Sequence, residues 1–269
     1  MTYYFLIDAG NSAIKLAICP CTADAGQGMI PVEFDSLPTP MGRDEKILLA
    51  SLEQYLDRRA LAAGDCKGVF CASVVPWLET TLKAVSQNLF GLPVRFALRD
   101  MPIPLRNPYA TDQLGPDRLV AVYAARHMFP DDPQIICVDF GTATTFDCIY
   151  GHAYLGGLIC PGVESAAEGL AAHTARLPKV VVNKDINITR VLGTSTKECM
   201  EYGFLQGFAA MADGLISRIA QSQYLNITPF PLVVATGGFA SVLAPACSRI
   251  THVADNLVLR GLCFLAEGR

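Results

Sequence analysis

The sequence predicts an α/β fold of two related lobes with mixed sheets flanked by helices, and three observations carry that prediction. Strand-like apolar runs alternate with periodic segments of helix length. The segments IDAGNSAIKLAI (7–18) and VDFGTATTFDCI (138–149) align without a gap, placing Asp8 and Asp139 131 residues apart, close to half the chain. The 269 residues are 51% hydrophobic with a formal net charge of −4, the reverse of a disordered composition, so the whole chain can bury a core. A repeat this long marks a duplicated domain and not a solenoid unit. The proline-rich stretch DMPIPLRNPYATDQLGPDR separates the halves, giving lobes 1–115 and 116–269.

The elements follow in order. YYFLIDAGNSAIKLAICP reads as strand, turn at Ala9 to Ser12, and strand, because apolar runs flank a Gly-Asn step. Residues 21–42, rich in Gly and Pro, give an edge strand with loops. Ile47, Leu48, Leu52, Tyr55 and Leu56 recur at helical spacing behind Asp44. GVFCASVVP is a strand ending at Pro76, and Trp77 to Leu89 a helix stopped by Gly91. A helix from Arg118 to Met128 precedes QIICVDFGTATTFDCIY, again strand, turn, strand. YLGGLICPGV reads as hairpin-like, 164–172 as a helix, Lys197 to about Ile219 as a long helix, PLVVATGG as a strand and turn followed by a helix, and Asn256 onward as a terminal helix. Gly203 and Gly207, four apart on the long helix, predict close approach of another element, since each costs about 1 kcal/mol in a helix interior.

Composition narrows the function classes. With 21 Lys+Arg against 25 Asp+Glu there is no basic surface of the kind nucleic-acid affinity needs. The N-terminus lacks a basic n-region and Asp8 interrupts its apolar run, so a cytoplasmic chain without a signal peptide is expected. The ten cysteines then read as small buried hydrophobes, with neither a disulfide framework nor a Cys-x-x-Cys zinc pattern. Thirty residues between Arg218 and Arg249 lack charge, longer than the roughly 20 that span a bilayer, but Pro229, Pro231, Gly237, Gly238 and Pro245 break them into strand, turn and helix, so no membrane partner is expected.

The chemistry concentrates in D-x-G-N-S-x-x-K (Asp8–Lys15), D-F-G-T-A-T-T (Asp139–Thr145) and A-T-G-G (Ala235–Gly238). Glycine in a hairpin lets backbone N–H groups approach an anion, hydroxyls add donors, and an Asp ending the preceding strand can hold the accompanying cation. Alone, each Asp-x-Gly is also simply a hairpin turn. No P-loop or dinucleotide fingerprint competes.

Two such hairpins with a late T-G-G resemble the acetate and sugar kinase, heat-shock-70 and actin superfamily, whose two ribonuclease-H-like lobes close on ATP in the interlobe cleft. L-G-P-D-R (Leu114–Arg118), the unbroken D-F-G-T-A-T-T-F-D, Y-L-G-G-x-x-x-P-G (Tyr154–Gly162), H-T-A-R-L-P (His173–Pro178) and G-T-S-T-K-E-C-M-x-x-G (Gly193–Gly203) resemble type III pantothenate kinase, in that family's order over nearly the whole chain. The resemblance implies ATP-dependent phosphorylation of pantothenate to 4′-phosphopantothenate, the first step toward coenzyme A. Asp117 matches the general base, and Asp at that place can also cap a helix beginning at Arg118, a role compatible with the first. Arg118 matches the residue gripping the substrate carboxylate. Asp8, Ala9, Gly10, Asn11, Ser12, Ala13, Ile14 and Lys15 match the first phosphate loop, and Thr142 an ATP contact from the second. Asp139 matches the ligand of a monovalent cation, potassium or ammonium, with magnesium arriving on ATP. Tyr109, Gly115, Pro116 and Thr196 match the pantothenate site, Thr196 serving equally well as a helix cap. Ser12 stands where the family commonly has Thr, Pro116 where Ala is frequent, and Tyr109 one residue closer to Gly115 than usual. The resemblance also implies a homodimer. A kinase for another hydroxyl substrate, or a regulator that binds nucleotide, are the other readings.

Overall fold

The computed structural model describes residues 1–21, 31–40, 44–108, 113–186, 188–222 and 229–268. Two compact units emerge from its internal contacts. One holds residues 1–105, the stretch to His127 and 257–269, and the other holds 106–108 and 128–256.

The first unit is a five-stranded mixed sheet of order β3-β2-β1-β4-β5. Strands β1 (Tyr3–Ala9), β2 (Ala13–Pro20) and β3 (Val32–Pro38) form an antiparallel meander, while β4 (Cys66–Ser73) and β5 (Val94–Phe96) run parallel to β1. Helices α1 (Glu45–Asp57) and α2 (Pro76–Phe90) pack Leu48, Leu52, Tyr55, Leu78, Leu82 and Val85 onto Tyr3, Phe5, Ile7, Leu16 and Ile18. Local chemistry sets the helix ends. Asp44 caps α1 by accepting from the Lys46 and Ile47 N–H groups, and Gly91, left-handed at φ 67°, ends α2.

Completing this unit are α3 (Pro116–Met128), through His127, and the terminal helix α7 (Leu257–Ala266). By internal contacts both helices group with the first unit. α7 lies against β1, β2 and β4, and its Gly261 sits on Val120 of α3 so closely that a β-carbon would clash with the Val120 carbonyl. Cys263 of α7 is disulfide-bonded to Cys19 of β2, with Cα atoms 6.2 Å apart across a separation of 244 residues. This corrects the reading of all ten cysteines as free core residues. An apolar helix face declares that it is buried, not which sheet buries it. The other eight cysteines are not disulfide-bonded, and burial raises several, Cys66 to about 11 and Cys247 to about 12.

The second unit repeats the topology as β10-β9-β6-β7-β8. β6 (Gln134–Phe140), β7 (Ala143–Tyr150) and β8 (Ala153–Pro161) form the meander, and β9 (Leu232–Thr236) and β10 (His252–Val253) run parallel to β6. Val163 and Ala167 of α4 (Val163–Ala172), Leu205, Phe208, Ala212 and Ile216 of α5 (Thr196–Ala220), and Leu243 of α6 (Ala240–Leu243) cover Ile136, Val138, Phe140 and Phe146. Three expectations change here. YLGGLICPGV is one strand and not a hairpin, because Gly156, at φ 121°, takes up a register shift opposite Cys148 and Ile149. The repeat aligns without a gap in sequence but not in space: Asp8 pairs with Lys15 while Asp139 pairs with Thr145, so the second turn is one residue shorter. Among the described residues nothing lies within 4 Å of a β-carbon added at Gly203 or Gly207.

Replacing Gly261 with Ala forces α7 off α3 and should cost about 1–3 kcal/mol, whereas Gly203→Ala should raise stability by up to about 1 kcal/mol through helix propensity; paired thermal melts read both. Denatured without reductant, the chain should titrate eight thiols, and ten after reduction; ten in both states would remove the bond.

Candidate active site

In the first unit, β1 ends in Asp8 and Ala9 and turns through Gly10, whose N–H donates to the Ala13 carbonyl at 3.0 Å. Lys15 Nζ lies 3.7 Å from the Asp8 carboxylate, directly across the two strands. Sequence reasoning missed what braces this turn. Thr39, just past the edge strand β3, donates its hydroxyl to the Gly10 carbonyl at 2.7 Å and its N–H to the Ser12 carbonyl at 3.1 Å. Two carbonyls are thereby held before any ligand arrives, and Asn11 and Ser12 stand exposed at the apex. Ala9 and Ile14 are buried in the sheet, so they can meet a ligand only through their main chain.

The G-P-D-R segment lies at the same end of this sheet. The Val74 N–H, just beyond β4, donates to the Ala9 carbonyl, and Val74 Cγ1 would be 3.5 Å from a β-carbon on Gly115. Both the turn and G-P-D-R thus sit at the carboxyl ends of the parallel strands β1 and β4, where open α/β sheets bind ligands. Pro116 is the first residue of α3, as its fixed φ favours. Asp117 is therefore inside the first turn and does not cap a helix starting at Arg118. Its Oδ1 accepts from the Arg118 N–H at 2.8 Å. A side chain at Gly115 would place its β-carbon 2.5 Å from that oxygen, so the carboxylate would have to shift to admit it. Tyr109 lies outside the described residues.

In the second unit, Asp139 stands next to last in β6, in a cradle of glycines. A β-carbon on Gly141 would lie 3.2 Å from its Oδ1, and one on Gly237, left-handed at φ 92°, would overlap that atom outright. The Phe239 N–H donates to the Phe140 carbonyl at 3.2 Å, binding the T-G-G turn to the hairpin. Thr142 is exposed at the hairpin apex. Its carbonyl accepts from the Gly162 N–H at 3.2 Å and from the Ser165 hydroxyl at 2.7 Å. Gly162 lies so close to Gly141 and Thr142 that any side chain there would strike their carbonyls. The P-G of the Y-L-G-G-x-x-x-P-G block seats the start of α4 on the turn that carries Thr142.

Thr196 opens α5, but the cap is Ser195, whose hydroxyl accepts from the Glu198 N–H at 3.2 Å. Glu198 reaches back to accept from the Thr194 N–H at 2.7 Å and hydroxyl at 2.9 Å, and these bonds, with Arg190 adding to them, hold its carboxyl below the ordinary value. Since Ser195 does the capping, Thr196 is exposed and not needed by the helix end.

Asp8 to Lys15 and Gly115 to Arg118 therefore share the first unit, and Asp139, Thr142 and Thr196 the second. Among the described residues, no three His, Cys, Asp or Glu side chains converge to hold a metal. A cation at Asp139 would draw its other ligands from carbonyls, water or the nucleotide.

A family pattern for type III pantothenate kinase matches residues 4–218. A type III pantothenate kinase of Nitratidesulfovibrio vulgaris strain DP4 is 39% identical over 98% of this chain and 96% of its own, and one of Lawsonia intracellularis is 40% identical over 98% and 95%. Among solved structures, the ethanolamine utilization protein EutJ of Carboxydothermus hydrogenoformans aligns over 98% of this chain and 90% of its own, with a TM-score of 0.55 at 15% identity. A ROK family glucokinase of Streptomyces griseus, solved with glucose and AMPPNP, aligns over 99% and 100% with a TM-score of 0.50 at 12% identity. At those identities the structural likeness speaks for the fold alone. The match over residues 4–218 and the near-full-length identity speak for the lineage: the chain belongs to the type III pantothenate kinase family.

Proposed function

We propose that this chain transfers the γ-phosphoryl group of ATP to the hydroxyl of pantothenate, with Asp117 as general base, giving 4′-phosphopantothenate and ADP for coenzyme A synthesis. The observation that carries the reading is the family match together with Asp117 in the first turn of α3, just after Gly115, which packs near Val74 at the carboxyl end of β4. Phosphoryl transfer asks little covalent chemistry of a protein. Positioning and charge neutralisation supply most of the rate. In this reading the N–H groups of residues 9–14 and the Lys15 ammonium receive phosphate oxygens, and Thr142 does so from the second hairpin. The Asp117 carboxylate accepts the proton of the attacking hydroxyl. Arg118 offers paired donors to pantothenate's carboxylate, and Thr196 and Gly115 contact the substrate. Magnesium on the nucleotide, and potassium or ammonium at Asp139, would neutralise charge on the transferring group.

We also infer a homodimer. What supports it is the apolar edge strand β8, where Leu158 is 39% exposed and Ile159 66%. A cytoplasmic location accords with the reading. Among the described residues no helix is long and apolar enough to cross a membrane.

With ATP, magnesium, potassium and pantothenate the purified chain should form ADP and 4′-phosphopantothenate; no turnover of pantothenate beside turnover of another alcohol would replace the substrate. Asp117→Asn should lower kcat by about 10²–10⁴ with an unchanged melting temperature, and Arg118→Lys should raise KM for pantothenate more than it lowers kcat. Ile159→Glu should shift the mass measured by light scattering toward the monomer.

A further inference from the structure

Lys184 is a residue that no motif singles out. Its loop is pinned at both ends in the core of the second unit: Val182 is 2% exposed, and Ile186 packs partly buried against the same cluster. Between them the Asn183 side chain accepts from the Asp185 N–H at 2.9 Å, a turn that leaves Lys184 exposed at its tip. From there the side chain returns to the T-G-G turn. Its Nζ lies 4.6 Å from the centre of the Phe239 ring, and a β-carbon on Gly238 would be 3.4 Å from it. Gly237 beside it packs on the Asp139 carboxylate, so the ammonium stands one residue from the position assigned to the cation. Among the described residues no carboxylate lies within ion-pair distance of Lys184.

We propose that Lys184 is an ATP-binding residue of this site, its ammonium contacting a phosphate oxygen of the nucleotide at the T-G-G turn. The inference rests on the ATP reading above and adds to it a cation from the second unit. A lysine is a compact, mobile point charge that suits a tetrahedral phosphate with several equivalent oxygens. A glycine turn leaves room for the phosphate beside it and contributes N–H donors. The contact with Phe239 keeps the ammonium close to the turn, so ordering it on binding is less demanding than for a lysine free in solution.

The test is nucleotide binding by the purified chain, with Lys184→Ala and Lys184→Arg beside the wild type. For a non-hydrolysable ATP analogue, Kd should rise about tenfold to a hundredfold in Lys184→Ala, fall most of the way back in Lys184→Arg, and lose its salt dependence in part. The Kd for adenosine, the KM for pantothenate and the melting temperature should stay at wild-type values. Unchanged affinity for the analogue, or an equal loss for adenosine, would overturn the assignment. Binding needs no turnover, so the measurement decides the role of Lys184 even for a chain that leaves pantothenate unphosphorylated. A wild type that binds neither nucleotide would overturn both readings.

Discussion

The missing β-carbon at Gly237 is the constraint on which the ligand-facing end of the second unit depends. Any side chain there would occupy the Asp139 carboxylate and the Phe140 main chain, so the T-G-G turn can close on β6 only as glycine. That closure brings the Phe239 N–H onto the Phe140 carbonyl, and with it the ring over which Lys184 lies. Gly162 makes the same kind of demand from the other side, where a β-carbon would strike the Gly141 and Thr142 carbonyls. Two separate motifs are thus conditions on how near one stretch of main chain can come to another. Glycine's conformational cost is accepted where close approach is the function.

Periodicity and turn chemistry made most of the fold legible. α1 and α2 follow from their apolar spacing and stop signals, and the shared topology of the two sheets follows from one repeated segment. What stayed hidden depends on distant partners. β5 and β10, of three and two residues, carry too little pattern to be read. Among the described residues Gly203 and Gly207 have no neighbour within 4 Å of an added β-carbon, so the spacing of the pair alone does not name an element that packs on it. The one-residue difference between the turns is invisible in the aligned letters, because Asn11 and Ser12 face a single Thr142 only once the hairpins have closed.

The site divides in the same way. Asp8, Asp117 and Asp139 stand out in sequence because carboxylates next to glycine are chemically conspicuous. Thr39, Ser165 and Lys184 do not, since a hydroxyl or an ammonium is ordinary until its partner is known, and those partners lie 29, 23 and 55 residues away. The elements that build the site's frame are also shared unevenly. Ser195 caps α5 and so spares Thr196 that task, whereas Asp117, inside the first turn of α3, accepts from the N–H of the residue that follows it.

The interleaving of the units bears on how the chain is made. Residues 128–256 form the second unit almost without interruption, whereas the first is left without α7 until residues 257–266 have been added. Domains made on the ribosome ordinarily fold from the N-terminus onward. Here the later unit can finish first, and β1, β2 and β4 must wait with one apolar face uncovered. For that interval the earlier half is the aggregation-prone one, and joining Cys19 to Cys263 would make its late completion hard to reverse.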